Sequence, residues 1–481
     1  MLLKIYKVFI RSKLTYGAAA LASAATTNLD SLNKVQSAAL RAALGARRSS
    51  PITALQVEAN IPPLIIYMKE ISCNYYLKAR AQGISHPLFH DMLHDETAEN
   101  RHWTKHFKKP LVIRARDTIR SWNIPEDLHI EVQRIPMRPP WQKKPMKIFL
   151  ELKDPINKNA PIESIRVSAQ TTIEERFPNH FRIFTDGSKK ENSTTAAMWI
   201  PEMNYQEGWK LENGSNITIM NAKLLAIIKA LEWTALNGEF LDKTEVVILS
   251  DSRSSLEALK STKISKYSAQ EEHTYRIAEI LRDNGFSITL QWVPSHVGLT
   301  DNERADTAAN EAHTLPTTTP CPLGTEEAKS ITRKAAQTTW QLFYDSQKEE
   351  RELHIATFKP EIGHWPWAYH KCRPIETAIA RLRIGHIELN DFLHRKDQAP
   401  SPLCTHCNVP ETIEHYLLHC RRYTRSRRKL ATTLRREGVA TINLQNLLGG
   451  GDYTSHQHTQ ITAALGIFLR ESGRLYGLVH E

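Results

Sequence analysis

Residues 244–252 read TEVVILSDS, in which Val246 to Leu249 form an unbroken apolar run and Asp251 follows directly after Ser250. Strict alternation would bury one face only. A short continuous run rich in β-branched residues predicts a strand covered on both faces, as at the centre of an α/β sheet. An acid just beyond such a strand lies where open α/β sheets present functional groups. FRIFTDG (181–187) repeats the arrangement, a strand running into a turn at Asp186 and Gly187. STTAAMWIPE (193–202) and YQEGWKLEN (205–213) predict short strands joined by turn residues, an antiparallel meander. NAKLLAIIKALEW (221–233) has apolar residues at helical spacing, uninterrupted by Pro or Gly. Two helices, a strand FSITLQWVP (286–294), a polar loop and a helix TDNERADTAANEA (300–312) complete a compact α/β segment.

The whole chain has 481 residues, too many for one ordinary core, so about two to four domains are expected. Its formal net charge of +11 points to polyanionic partners, although the sign alone does not separate nucleic acid from an anionic membrane. No apolar run approaches membrane-spanning length, so a membrane protein is not expected. Of the six cysteines, Cys73, Cys321 and Cys372 stand alone, while Cys404, Cys407 and Cys420 cluster. A secreted disulfide framework would be denser and more even, so we expect a reducing, intracellular compartment. The N-terminal stretch MLLKIYKVFIRSKLTYGAAALASAA loosely mimics a targeting peptide, but Lys4, Lys7, Arg11 and Lys13 break any secretory apolar core.

Around the α/β segment the composition divides the chain. Residues 1–80 predict helices, with an apolar stripe through Leu32, Val35, Ala39 and Ala43, and with Gly45 as a helix stop. Residues 81–175 are first His-rich and then Pro/Lys-rich. His86, His90 and His94, like His102 and His106, are spaced four apart, which we read as solvated helix faces rather than metal ligands. IPMRPPWQKKPMKIFLELKDP (135–155) predicts an extended basic linker. The α/β segment occupies 176–315 and ends at the Thr/Pro run LPTTTPCPLGTEE. A helical connector (316–395), a Cys/His knuckle (396–423) and a basic helical tail (424–481) follow.

Acids at several strand ends suit divalent-metal chemistry. Two Mg²⁺ ions roughly 3.5–4 Å apart clamp the attacking and leaving oxygens of a phosphodiester displacement. Hard ions need oxygen ligands, and carboxylates so close would repel one another without them. Asp186, Asp251 and Asp306 are the candidates, Asp306 lying one turn inside the last helix. Singly each is an ordinary turn or cap residue. In their order, FTDGS, AxLLAIxxAL, LSDSRSSLEAL and WVPSHVGLTDNERAD, they resemble the ribonuclease H domain of non-LTR retrotransposons over about residues 177–315.

That resemblance implies a mixed five-stranded sheet with helices on both faces. It also implies an Asp-Glu-Asp-Asp site holding two Mg²⁺ ions that cleaves the RNA strand of RNA–DNA hybrids. Asp186, Asp251 and Asp306 then match the first, third and fourth acids, and His296 matches a loop histidine assisting proton transfer or product release. The second acid should be the glutamate of an AELLAI motif. Here that motif reads Ala222-Lys223-Leu224-Leu225-Ala226-Ile227. A lysine cannot ligate Mg²⁺, and it changes the site's charge from −4 to −2. Glu232, nine residues further along the helix, is too distant to replace it. Hydrolysis is therefore expected to be impaired and the two-metal site weakened, with Lys223 free to pair with the aspartates. The alternative expectation is a nucleic-acid-binding retroelement remnant without catalysis.

The flanks resemble the same elements. Residues 2–45 are similar to thumb-like helices that follow a reverse-transcriptase palm. ARLRIGHIELNDFLHRKDQAPSPLCTHCNVPETIEHYLLHCRRY (380–423) is similar to the segment after ribonuclease H in jockey-like elements. The chain thus resembles the C-terminal portion of a longer polyprotein, with nuclear or cytoplasmic ribonucleoprotein as its expected setting. Cys404-x2-Cys407-x7-His415-x4-Cys420 has the ligand types and spacing of a closed tetrahedral Zn²⁺ site, with His415 and His419 as a competing Cys2His2 set. Just beyond it, Arg421, Arg422, Arg425, Arg427, Arg428 and Lys429 are candidate phosphate contacts. Trp365, Trp367 and Tyr369 are assigned to a core rather than to base stacking. RNA–DNA hybrid or another nucleic acid is the expected partner, with no membrane and no small-molecule substrate.

Overall fold

The structure is a computed structural model, and it describes residues 2–21, 23–90, 109–126, 128–131, 141, 143–154, 160–261, 268–365, 370–439 and 441–475. His94, His102, His106, Trp367 and Tyr369 lie outside these residues. The chain folds into two compact units. One combines Asn74–His102 with Ile124–Thr332, and the other combines Met1–Cys73, Trp103–Asn123 and Arg333–Glu481. These boundaries cut across three of the six compositional stretches, 1–80, 81–175 and 316–395.

The first unit is built on a mixed sheet of six strands: β1 (Met146–Phe149), β2 (Phe181–Lys190), β3 (Ser193–Ile200), β4 (Tyr205–Lys210), β5 (Glu245–Ser250) and β6 (Ser287–Trp292). Their spatial order is β1-β6-β5-β2-β3-β4. β1, β6, β5 and β2 run parallel, while β2, β3 and β4 form the expected antiparallel meander. The expected count was five. The sixth strand, β1, lies in the stretch predicted to be an extended linker. Proline density there conceals a four-residue strand, and an edge strand needs a single partner, so Met146–Phe149 pairs with Ile288–Gln291.

Five helices cover the sheet: α1 (Ile162–Arg176), α2 (Ile219–Asn237), α3 (Arg253–Lys260), α4 (Ser268–Asp283) and α5 (Thr300–Glu311). Central strand β5 explains their placement. Val246 and Ile248 face a core shared with Leu224, Leu231 and Leu256, whereas Val247 and Leu249 face a second core with Ile173, Phe177 and Ala305. Helices α2, α3 and α4 therefore cover one face and α1 and α5 the other. This is why the run does not alternate, and each such buried side chain contributes about 1.5–3 kcal/mol.

The second unit is helical. Helices Thr26–Leu44 and Ile52–Ala59 bury Leu40, Leu55 and Val57 against Tyr344 and Ile355. A further core joins α6 (Arg373–Ile384), α7 (Thr424–Arg436) and α8 (Ser455–Ser472), and it also includes Cys404, Tyr416, Leu417 and Cys420. The knuckle and the basic tail thus share one core with α8. Trp365 is buried, and its indole Nε1–H donates to Glu58 at 3.2 Å, as expected of a core residue. No described helix is long and apolar enough to cross a membrane.

Candidate active site and metal centre

Strands β2 and β5 pair as far as Thr185 and Ser250, and there they part. β2 continues beside β3, while β5 turns into α3 through Ser252, whose hydroxyl caps that helix. Asp186 and Asp251 are the first residues past the last pair, so both carboxylates open into the fork between the strands. Both are nearly enclosed, with side-chain exposures of 5% and 7%. The Gly187 amide donates to Asp186 Oδ1 at 2.7 Å, and the Trp292 indole donates to the Asp251 carbonyl at 3.2 Å.

Lys223 fills the fork. Its Nζ lies 2.6 Å from Asp186 Oδ1, and 2.6 and 2.7 Å from the two Asp251 carboxylate oxygens. Burial works against the ammonium, but the two aspartates outweigh it and hold its pKa above the usual lysine value. Asp186 is pushed up to about 6, chiefly by burial and then by the neighbouring Asp251 charge, with Lys223 opposing both. Between Asp186 and Asp251, where the resemblance calls for a divalent cation, there is a side-chain cation at hydrogen-bond distance from both carboxylates. As it stands this donor set does not fit a two-metal centre.

The helix that delivers the lysine is held by a buried acid that sequence inspection passed over. Thr218 caps α2 by accepting the Asn221 N–H. Glu327, at the start of the helix Thr325–Glu350, accepts from the Thr218 N–H at 2.6 Å and from the Asn221 amide at 2.8 Å. A carboxyl side chain thereby sits at the positive end of the helix dipole, about one turn before Lys223, the fifth residue of α2. No local signal marks Glu327, which is more than a hundred residues away and just past a Thr/Pro boundary.

Asp306 is half-buried on α5, which packs against the β2–β3 pair through Ala308 and Ala309 on Ala197, the register partner of Asp186. Asn310 links it to the strand that carries Asp186. Its amide donates to Asp306 Oδ1 at 3.1 Å, and its own oxygen accepts from Ser188 at 3.0 Å. Neither Asn310 nor Ser188 stood out in the sequence. His296 is exposed in the loop after β6, with a left-handed φ of 55°, and Gly298 follows at φ 81°.

In the helical unit the ligand atoms of Cys404, Cys407, His415 and Cys420 all lie within 4.8 Å of one another. Cys420 Sγ is 3.8 Å from both Cys404 Sγ and Cys407 Sγ. A tetrahedron with Zn–S bonds of about 2.3 Å has edges of about 3.8 Å, so this spacing fits Zn²⁺. Among the described residues His415 Nε2 has no hydrogen-bond partner although it is buried, the orphaned atom expected of a metal ligand. A π-helical turn over His415–His419 closes with the Cys420 N–H on the His415 carbonyl at 2.7 Å and brings these two ligands together. His419 is exposed and lies 3.5 Å from Glu414, so the Cys3His set is the one assembled.

The basic stretch divides. Arg421, Arg422, Arg425, Arg428 and Lys429 are exposed, with Lys429 paired to Glu471 at 2.7 Å. Arg427 turns inward and donates to the carbonyls of Leu417 at 2.8 Å and Cys420 at 2.9 Å.

The family match to known proteins falls within the sheet unit. No curated protein matches the chain. Among solved structures, ribonuclease H1 from Halobacterium salinarum NRC-1 is 21% identical, and its match covers 28% of this chain and 97% of that one, with a TM-score of 0.22. LC11 ribonuclease H1, isolated from compost by a metagenomic approach, is 24% identical over 28% and 96%, with a TM-score of 0.24. Its complex with an RNA/DNA hybrid is 23% identical over the same shares, with a TM-score of 0.23. The profile of the RNase H family matches residues 178–314, the stretch that carries β2 to β6 and both aspartates of the fork. Residues 178–314 are an RNase H domain.

Proposed function

We propose that this chain is a retroelement-derived ribonuclease H-type endonuclease directed at the RNA strand of RNA–DNA hybrids, with hydrolysis strongly impaired by Lys223. The observation carrying the impairment is the ammonium 2.6 Å from a carboxylate oxygen of each of Asp186 and Asp251. A divalent ion would have to displace a cation already bonded to both acids, and it would find one ligand fewer. Losing an outer-shell partner already costs metal sites roughly 10–100-fold, and losing a direct ligand costs at least as much. Hybrid recognition would use 2′-hydroxyls and backbone shape. The retroelement origin rests on the motif order and on the flanking segments. In the helical unit, Zn²⁺ at Cys404, Cys407, His415 and Cys420 would be structural, a closed site with no open position.

The test is hybrid cleavage by the natural chain and by Lys223→Glu across Mg²⁺ and Mn²⁺ concentrations. The glutamate variant should cleave at least 10–100-fold faster. Equal rates would sink the reading. The three-point ion pair also favours a second reading, a hybrid binder without catalysis. Salt-dependent binding with no cleavage by either form at any metal concentration would select it.

A further inference from the structure

We propose that the exposed arginines of the helical unit form a groove for the phosphodiester backbone of nucleic acid, separate from the RNase H domain and held in shape by the Cys3His metal centre. The groove is a shallow concavity lined by Arg421, Arg422, Arg425, Arg428 and Thr432, with Ile467 of α8 on one wall. Among the described residues, no carboxylate lies within ion-pair distance of these four arginines, and the nearby Glu471 is engaged by Lys429. Positions 425, 428 and 432 recur at helical spacing along one side of α7, opposite Leu430 and Leu434, which are buried in the core, and Arg421 lies in the short turn just before the helix.

That burial selects the partner. A helix lying on a membrane needs a wide exposed apolar face, whereas here the apolar face of α7 is already spent on the core and Ile467 is the apolar residue lining the groove. What remains is a row of guanidinium forks, chemistry that grips phosphate bidentately, beside threonine hydroxyls that donate to backbone carbonyls.

The metal centre and the groove share their main chain. Cys420 is a ligand and Arg421 is the next residue, its N–H directed at Cys407 Sγ at 3.4 Å. Arg427 clamps the carbonyls of Leu417 and Cys420, so the first turn of α7 is tied to the π-helical turn that presents His415 and Cys420. A metal would tie His415 and Cys420 of that turn to Cys404 and Cys407, and without it the turn would keep only the Arg427 clamp and its core contacts, loosening the start of the arginine row. Arg427 is therefore a positioning residue and the exposed arginines are the contacts. This rests on the zinc reading of the cluster and is independent of the hydrolytic reading of the sheet.

The experiment uses the full zinc-loaded chain, a fluorescein-labelled single-stranded RNA, and anisotropy titrations at several salt concentrations. Arg425→Glu/Arg428→Glu should weaken binding on the order of tenfold or more and lower the salt slope by about two, with zinc content and circular dichroism unchanged. Stripping zinc with a chelator should weaken the natural chain comparably, with recovery when zinc is restored. Unchanged affinity in the double variant overturns the groove, and unchanged affinity after zinc removal overturns its dependence on the metal. Binding to vesicles of acidic phospholipid without binding to the RNA overturns the choice of partner. A chain that holds no zinc as purified, and takes up none, refutes the zinc reading instead, while leaving the double-variant comparison to judge the groove.

Discussion

Each unit buries a lysine, and the two are treated in opposite ways. Lys223 ends against two carboxylates, and its pKa is held above the usual value. Lys359 ends on neutral carbonyls, those of Val57 at 2.9 Å and Gly363 at 2.6 Å, with its ammonium 4.6 Å from the Trp365 ring centroid. Burial lowers its pKa to about 8, with Glu58 opposing and Arg383 reinforcing the drop. Glu58 is committed to Arg383 at 3.1 Å and to the Trp365 indole. Lys359 is buried and Lys223 is largely enclosed, with 16% of its side chain exposed, so their difference lies chiefly in the charge of what they touch. Lys223 neutralises acids that would otherwise need a metal, while Lys359 is a charge the core tolerates.

The sharpest way to break that contrast is to remove the ammonium and leave its acids. Lys223→Met should destabilise the sheet unit by about 3–5 kcal/mol, the usual cost of stranding one side of a buried ion pair. Chemical denaturation followed by tryptophan fluorescence measures this, and Mn²⁺ should restore part of the loss. No loss of stability would mean that the aspartates do not depend on the lysine.

The next effect concerns pH. Between pH 8 and 10.5 the unfolded chain keeps a proton on Lys359 that the folded chain has released. Stability contributed by this depressed pKa is therefore fully present above about pH 10.5 and is lost as pH falls through about 8. The full difference is at most about 3 kcal/mol. It should appear as a rise in the stability of the helical unit over that window, relative to Lys359→Met. Parallel pH profiles for the two proteins would contradict the assignment.

The smallest effect tests how tightly the lysine stem is held. A methyl group at position 187 would meet the Thr195 carbonyl at 3.1 Å, and Ala222 Cβ and Lys223 Cγ at 3.2 Å each. Gly187→Ala should cost about 1 kcal/mol and loosen the ion pair. An unchanged denaturation midpoint would show that the stem shifts freely.

Much of the sheet was legible in the chain. The unbroken run at 246–249, the acids after two strands and the meander between them follow from residue type and spacing alone, because successive side chains of a strand point to opposite faces and a run apolar at every position marks both faces as covered. β1 was not legible, since four residues among prolines carry too little pattern. The choice of Cys420 over His419 was also hidden. Both stand near His415, and a π-turn, which spacing does not announce, decides between them. Arg427 could not be told from its exposed neighbours, because only packing shows which way a side chain on a basic helix turns.

By itself the sequence determined that a lysine stands where the motif calls for a glutamate, and that three acids and a Cys/His cluster occur in a recognisable order. Only the tertiary structure decided what the lysine does there. Position along a chain says nothing about reach. The parting of β2 from β5, the buried Glu327 under the first turn of α2 and the absence of a side chain at Gly187 together bring Nζ to 2.6 Å from each acid. At that distance, with little water between them, the attraction is screened far less than at a surface, enough to hold the Lys223 pKa above its usual value although burial still raises that of Asp186.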